Sequence, residues 1–198
     1  MLGTGVVGRT IAGKLRELGH DVLVGSRSAG EDAVPFADAA AHGELVFNCT
    51  NGNASLEALN AAGAENFAGK VLVDVSNAID ASRGRPFVIG VALDDSLGEQ
   101  IQRAFPEARV VKALNTVNAD VMVNPASVPG EHDLFVCGND ADAKARVVEL
   151  LQGFGWPPER IVDLGDIIAA RGQELYLALW LSLMSAVGGA ALNIHVAR

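Results

Sequence analysis

The chain has 198 residues, of which 49% are hydrophobic and 20% charged, a composition typical of a globular domain with its own core and not of a disordered chain. Its formal net charge is −9 and its lysines and arginines form no cluster, which argues against a nucleic-acid-binding surface. Cys49 and Cys137 close apolar runs and have no metal-binding spacing, so we expect reduced core thiols rather than a disulfide, no metal site and a cytoplasmic protein.

The chain opens with MLGTGVVGRT, in which glycines stand in the spacing G-x-G-x-x-G. A helical pattern of apolar residues follows and stops at Gly19, so the glycines lie where a strand passes into a helix. This position is typical of a loop that binds the pyrophosphate of a dinucleotide, and the alternative is a plain turn in a glycine-rich chain. The predicted loop comprises Gly3, Thr4, Gly5, Val6, Val7 and Gly8.

Only Met1 and Leu2 precede this loop, whereas strands in globular proteins usually have about five residues. We therefore expect that the first strand is truncated in this sequence and that a few apolar residues, such as a Lys-Ile-Ala-Val-like run, lie upstream. Missing strand residues would leave ladder groups of the neighbouring strands without partners, at a cost of about 1–3 kcal/mol for each buried group.

Short apolar runs then alternate with helical stretches. Strands are predicted at 21–25, 45–49, 70–76, 108–114, 133–138 and 160–165, and helices at 33–42, 55–63, 96–106 and 140–155. The stretch 77–95 is predicted to be a loop with turns. This alternation predicts an α/β protein of the Rossmann type, with a doubly wound, mostly parallel sheet at 1–165 and a C-terminal helical segment at 166–198.

The C-terminal segment contains a long apolar stretch. Residues 175–194 carry no charge over 20 positions, which is long enough to cross a bilayer. Serines, glycines and an asparagine interrupt the stretch and no basic cluster flanks it, so we expect no membrane insertion. A helix buried in the core or in a homodimer is the better interpretation.

The end of the second strand indicates which dinucleotide is bound. NAD-binding proteins place an acidic residue there to hold the ribose hydroxyls, but this sequence has Gly25 followed by Ser26 and Arg27. Arg27 can bind a 2′-phosphate and Ser26 can donate a hydrogen bond, so NADP(H) is predicted over NAD(H). The alternative is that Arg27 is a solvated loop cation.

Small polar residues cluster where the later strands end, at 49–53, 76–79 and 114–118. Ligands of such sheets bind beyond the carboxyl ends of the strands, so these residues are candidates for orienting a nicotinamide and a second ring, although each group can also be ordinary turn chemistry. No acid or base is evident among them, and His20, His42 and His132 are expected on the surface. The pattern favours direct hydride transfer driven by alignment and exclusion of water. The candidates are Thr50, Asn51, Asn77, Ala113, Asn115 and Thr116.

The motifs GTGVVG, VGSR, VVKALNT and FVCGNDADAK together resemble those of the F420H2:NADP oxidoreductase family, and the chain is also similar to the NADPH-binding domain of the STEAP metalloreductases. The resemblance implies that the glycine loop holds the pyrophosphate, that Ser26 and Arg27 hold the 2′-phosphate, and that residues 113–116 lie by the nicotinamide. It further implies that the C-terminal segment shapes the acceptor pocket and a dimer.

The sequence departs from the family at one position. The F420 reductases tend to have a histidine where this chain has Asn115, and the STEAP domains, whose acceptor is a flavin, have asparagine there. The expected function is therefore an NADPH-dependent oxidoreductase whose hydride acceptor is coenzyme F420 or a flavin such as FMN or FAD. Two alternatives are a non-catalytic NADPH-sensing module and a reductase of a small imine or keto acid.

Overall fold

In the computed structural model, which describes residues 1–28, 30, 32–80, 88–89 and 94–197, short apolar runs form the central strands because both faces of these runs are covered. The run Val71–Asp74, for example, is buried at every position. The strands are β1 (Gly25–Ser26), β2 (Val34–Pro35), β3 (Leu45–Asn48), β4 (Val71–Asp74), β5 (Ile79–Asp80), β6 (Val88–Ile89), β7 (Arg109–Ala113), β8 (Leu134–Cys137) and β9 (Ile161–Asp163).

The helices follow the sequence periodicity, and several begin at side-chain caps. Asn118, Asp140 and Ser96 each accept a hydrogen bond from a backbone N–H of the first turn that they precede. The helices are α1 (Val6–Glu17), α2 (Phe36–His42), α3 (Gly52–Ala62), α4 (Leu97–Ala104), α5 (Ala119–Val123), α6 (Ala141–Gly153) and α7 (Ala170–Val187).

The sheet has the predicted doubly wound order. Leu2 bridges β1 on one side and β3 on the other, so the order is β2, β1, Leu2, β3, β4, β7, β8 and β9. All pairings are parallel except that of β7 with β8, which is antiparallel. Because the chain starts in the middle, builds one half and then returns to build the other, it produces a crevice beside Leu2.

The sheet separates two apolar layers because its side chains alternate between its faces. Val71 and Val73 pack in one layer with residues of α1, α5 and α6, whereas Leu72 packs in the other with residues of α2, α3 and α4. Trp156 is fully buried in the first layer and donates from Nε1 to the carbonyl of Met122 at 3.0 Å.

The first two residues occupy the central strand position. The Leu2 N–H donates to the Phe47 carbonyl at 2.8 Å, and the Gly25 N–H donates to the Met1 carbonyl at 2.7 Å. The side chains of Met1 and Leu2 are both buried. That a few apolar residues precede Met1 in this strand stays a prediction.

Several local expectations are wrong. The strand predicted at 21–25 is limited to Gly25–Ser26, and the helix predicted at 33–42 begins at Phe36 because Val34–Pro35 pair with β1. The helix predicted at 55–63 starts earlier, at Gly52, because the side chain of Asn51 accepts a hydrogen bond from the Asn53 N–H and caps it. Within 77–95, Ile79–Asp80 and Val88–Ile89 form an antiparallel pair instead of a loop, while 81–87 and 90–93 lie outside the described residues. His132 is buried, because its ring packs edge-on against Trp156 and its Nε2 lies 3.0 Å from the Pro125 carbonyl.

The C-terminal segment is helical only as far as Val187. Residues beyond it run back along the sheet, where the N–H of Val196 donates to the carboxylate of the buried Asp133 at 2.6 Å. Among the described helices, none combines the length and apolarity needed to cross a membrane.

Two glycines of α1 provide a test of the packing between the glycine loop and its helix. A Cβ added at Gly8 would collide with the Gly3 carbonyl, whereas one added at Gly13 would meet no atom within 4 Å. We expect Gly8→Ala to lower the free energy of unfolding by about 1–3 kcal/mol. Gly13→Ala, the matched control, should raise it by about 0.5–1 kcal/mol, because alanine loses less backbone entropy in a helix. Urea denaturation measures both, and equal stability of the two variants would contradict this packing.

Candidate functional site

The glycine loop leaves its helix terminus open for an anion. Gly3 has a φ of +113°, and a Cβ there would lie 2.7 Å from the Cys49 carbonyl, so only glycine fits this turn. Gly5 caps α1 without a side-chain hydrogen bond, no acidic residue lies in the first turn, and no atom lies within 4 Å of where its Cβ would be. The N–H groups of the first turn therefore face open space, as a pyrophosphate requires.

Ser26 ends β1 and Arg27 follows it, beside this loop. They line a cavity of about 470 Å³ together with Gly3, Thr4 and Gly5. Arg27 is exposed and forms no ion pair with the described residues, and the Ser26 hydroxyl donates to the carbonyl of Ser28. The cavity also contains the carboxylate of Glu57, on α3, and the faces of Ala58 and Ala61. The cation and the apolar side chains of this lining suit a phosphorylated ribose with its base.

A second cavity of about 360 Å³ lies on the other side of the glycine loop. It shares Gly5, Cys49, Thr50 and Asn51 with the first cavity, so the two lie next to each other. The remaining lining residues are Val6, Val7, Val75, Ser76, Asn77, Ile79, Asn115, Thr116, Val117, Asn118, Ala119, Met122, Leu177 and Trp180. Four separate strand ends and α7 thus meet at one place, as the strand order predicts.

Asn115 is held in this cavity by a strained turn and an amide pair. Leu114 is the non-glycine residue with a positive φ, 67°, in the described part of the chain, and it turns the backbone at the end of β7. The Asn115 side chain then donates to Asn77 Oδ1 at 3.1 Å and to the Gln173 carbonyl at 3.1 Å. Asn77 donates in return to the Asn115 carbonyl at 2.7 Å. Sequence reasoning named both asparagines, and the structure brings them into contact.

Three of the seven unpaired buried polar side-chain atoms in the described part of the chain belong to residues that line the same cavity. Asn115 Oδ1, Thr116 Oγ1 and Trp180 Nε1 have no hydrogen-bond partner although they are buried and their residues line it. Leaving a buried polar group unpaired costs about 1–3 kcal/mol, so such groups point to a ligand that pairs with them.

Thr50 and Asn51 line both cavities, but their side chains already have structural partners. The Thr50 hydroxyl donates to Asn48 Oδ1 at 2.7 Å, and Asn51 caps α3. Ala113 is fully buried in the core and is not among the residues that line the second cavity. Its predicted place beside the nicotinamide therefore stays a prediction.

Among the described residues that line the second cavity, none is an aspartate, glutamate, histidine, lysine or tyrosine. Cys49 is the titratable side chain there, and burial raises the pKa of its thiol to about 12, so it stays protonated at neutral pH. The site therefore supplies hydrogen bonds and shape rather than acid–base catalysis. Cys49 and Cys137 are both free thiols, as predicted.

Sequence reasoning missed a buried ionic cluster directly behind Asn115. Lys112, Asp74 and Glu174 are all fully or almost fully buried and in contact. Part of the signal was present in the sequence, because Lys112 and Asp74 interrupt the apolar runs VVKAL and VLVDV, whereas Glu174 stands at the start of the run that follows it.

A third cleft, of about 660 Å³, lies at the opposite edge of the sheet, where Met1, Leu23 and Leu45 contribute to its wall. None of the predicted site residues lines it. Parallel sheets bind ligands at the carboxyl ends of their strands, and this cleft is at the amino ends.

The residues present fit NADP(H). The open helix terminus suits the pyrophosphate, Arg27 suits the 2′-phosphate, and the unpaired oxygen of Asn115 suits an amide donor such as the nicotinamide carboxamide.

Comparison with known proteins agrees with this geometry. The family model described as NADP oxidoreductase, coenzyme F420-dependent, matches residues 1–78, which include the glycine loop, Arg27 and Asn77. The rat metalloreductase STEAP3 is 30% identical over 186 residues, covering 88% of this chain and 35% of that protein. The F420-dependent NADP reductase of Methanocaldococcus jannaschii is 28% identical over 120 residues, covering 60% of this chain and 52% of that protein. The chain thus spans only about a third and a half of these two relatives.

One solved structure is similar to this chain over its whole length. The crystal structure of a candidate F420-dependent NADP reductase from Arthrobacter sp. FB24 has a TM-score of 0.94 and 49% sequence identity, covering 100% of this chain and 97% of that one. With the same fold and this identity over its full length, the chain belongs to the family of coenzyme F420-dependent NADP oxidoreductases.

Proposed function

We propose that this protein transfers hydride between NADPH and the ring of a deazaflavin, coenzyme F420, or of a flavin. The observation that carries the proposal is the pair of neighbouring cavities beside the glycine loop, one lined by the cation Arg27 and the other, inner one by Asn115. Among the described residues, the inner cavity has no aspartate, glutamate, histidine, lysine or tyrosine in its lining.

The binding end of the site orients the cofactor. The first turn of α1 and the glycine loop hold the pyrophosphate, while Arg27 and Ser26 hold the 2′-phosphate and so select NADP(H) over NAD(H). When bound, the nicotinamide supplies the hydride.

The inner end aligns the two rings. Asn115 Oδ1 and the Thr116 hydroxyl are both buried and unpaired. The Asn115 oxygen accepts a hydrogen bond from the nicotinamide carboxamide or the acceptor ring, and the Thr116 hydroxyl donates or accepts one. Leu177 and Trp180 of α7 form the opposite wall and exclude water. Proximity of two held rings supplies most of the rate in such a site.

The absence of an aspartate, glutamate, histidine, lysine or tyrosine among the described lining residues of the second cavity favours a ring acceptor over a small imine or keto acid. An alkoxide or amide anion formed from those substrates needs an acid within hydrogen-bond reach. A reduced flavin or deazaflavin takes its proton on a ring nitrogen that exchanges directly with water. Asn115 supports the flavin as an acceptor beside F420, because the STEAP-type sequences with asparagine at this position reduce flavin.

The acceptor is identified by mixing the protein with NADPH and, separately, F420, FMN, FAD and a cyclic imine, and following the loss of NADPH absorbance. We expect turnover with F420 or with a flavin. Turnover with the imine alone would contradict the ring-to-ring proposal, and tight NADPH binding without turnover on any acceptor would replace it with a sensing module.

Arg27 tests the choice of cofactor. We expect Arg27→Ala to raise the KM for NADPH by about ten- to a hundredfold, since a charge-assisted hydrogen bond contributes about 1.5–3 kcal/mol, and to leave the KM for NADH nearly unchanged. Arg9→Ala removes an equally exposed arginine of α1 that lines neither cavity, and it serves as the control. Equal effects of Arg27→Ala on NADPH and NADH would show that Arg27 does not bind the 2′-phosphate.

The second half of α7 supports a homodimer. After Leu177 no residue of this helix is buried, yet the sequence there is almost wholly apolar, and Leu179 and Val187 are 54% and 67% exposed. An apolar helix face of this length is rarely left in water. We therefore propose that a second copy of the chain covers this face.

We also propose a cytoplasmic location, because both cysteines are free thiols.

Light scattering at micromolar concentration tests the dimer. We expect the unmodified protein to be dimeric and Leu179→Lys to be monomeric, because a buried lysine without a partner would oppose association. Leu164→Lys places the same change at another exposed leucine, away from α7, and should leave the dimer intact. A monomeric unmodified protein would refute the proposal.

A further inference from the structure

A buried ionic cluster lies behind the inner end of the site. The Lys112 ammonium lies 2.7 Å from Asp74 Oδ2 and 3.0 Å from Glu174 Oε1, and it donates to the Ser76 carbonyl at 2.6 Å. None of the three charged side chains is exposed. The cluster joins β4, β7 and α7, which are distant in sequence.

Every charge of the cluster has further partners. Glu174 accepts from the N–H groups of Leu97 and Gly98 at 2.8 and 3.0 Å, at the positive end of α4. Asp74 Oδ1 accepts from Asn48 Nδ2 at 2.9 Å and from the Ser76 hydroxyl at 2.6 Å. Burial by itself would lower the pKa of Lys112, but the two carboxylates outweigh it and raise that pKa, so the lysine is charged.

Stability alone does not account for such a cluster. Apolar side chains of similar volume are often as stabilising as a buried ion pair, because of the cost of removing the charges from water. Unlike apolar contacts, ionic hydrogen bonds are directional, because each one fixes the angle and distance between the two groups that it joins.

The cluster is adjacent in sequence to the groups that hold Asn115. Gln173, whose carbonyl accepts from the Asn115 amide, immediately precedes Glu174. Asn77, the other partner of that amide, stands three residues after Asp74, and Asn115 itself stands three residues after Lys112. A shift of any of the three charges therefore moves a group in contact with Asn115.

We infer that Glu174 is a positioning residue for hydride transfer: anchored on Lys112 and the α4 terminus, it holds the Gln173 carbonyl against the Asn115 amide and so orients Asn115 toward the rings. The inference rests on the proposed function, since it assigns the groups that set the geometry of that site. It adds α7 to the elements that determine the alignment of the rings.

A neighbouring ion pair provides a matched control. Glu99, on α4, accepts from Arg171, on α7, at 2.7 and 2.8 Å, so it ties together the same two helices. Neither residue lines the cavity or contacts Asn115. Glu99→Gln thus removes one carboxylate between α4 and α7 without touching the proposed route.

The test is a double-mutant cycle of Glu174→Gln and Asn115→Ala, measured per mole of folded protein. We expect Glu174→Gln alone to lower kcat about tenfold, with the KM for NADPH changed by less than about twofold, because only alignment of the rings is disturbed. In the Asn115→Ala background the same change should have no further effect, since a residue acting through Asn115 loses its role when that side chain is absent. Glu99→Gln should leave kcat unchanged.

The emission of bound NADPH gives a second readout that needs no acceptor. Glu174→Gln should shift it to the value of the Asn115→Ala protein, and the double variant should show no additional shift. Should Glu174→Gln fail to fold, Glu174→Asp, which keeps the charge but shortens its reach, enters the same cycle with the same expectation.

Multiplicative effects on kcat, or an unchanged kcat in Glu174→Gln, would overturn the inference. A protein that turns over no acceptor would instead overturn the proposed function, and the emission cycle would still decide whether Glu174 acts through Asn115.

Discussion

The site depends on the pairing of Leu2 with two strands at once. Its N–H donates to the Phe47 carbonyl of β3, and its carbonyl accepts from the Cys49 N–H just after β3, each at 2.8 Å. The N–H of Gly3 donates to the Gly25 carbonyl at 2.9 Å. These bonds bring the ends of β1 and β3 to either side of the glycine loop. The turn with Arg27 and the polar residues after β3 therefore face each other across the first turn of α1. Without that pairing the motifs would remain separate loops.

Small residues make this convergence sterically possible. A Cβ at Gly3 or Gly8 would collide with backbone, and one at Gly25 would lie 2.9 Å from the Cβ of Ala39. The glycines thus allow the loop, the helix and the second strand to approach more closely than side chains would permit. The same shortage of side chains leaves the N–H groups of α1 accessible to a phosphate.

Much of the fold could be predicted because its signals are local. The glycine spacing, the residues Ser26 and Arg27 in place of an acid, and the alternation of apolar runs with helices each lie within a few residues of sequence. Predictions were wrong where a longer-range contact decides. His132 looked like a surface residue because only the tertiary structure provides Trp156 and the Pro125 carbonyl as partners. The start of α3 was misplaced because Asn51 and Ser55 are both acceptable caps, and packing of Gly52 against Asn77 selects the first.

The sequence by itself determined the class of fold and the family, and it predicts the pyrophosphate loop and the preference for NADP(H), since each of these depends on residue types at short spacings. Only the tertiary structure decided that Asn77, Asn115 and Gln173 form one hydrogen-bonded group and that Lys112, Asp74 and Glu174 form one ionic cluster behind it. The physical reason is that these partners are separated by about 40 to 100 residues along the chain, as the spacing of Asn77, Asn115 and Glu174 illustrates. Their contact follows from the order of the strands and the packing of α7 on α4, which no local pattern encodes.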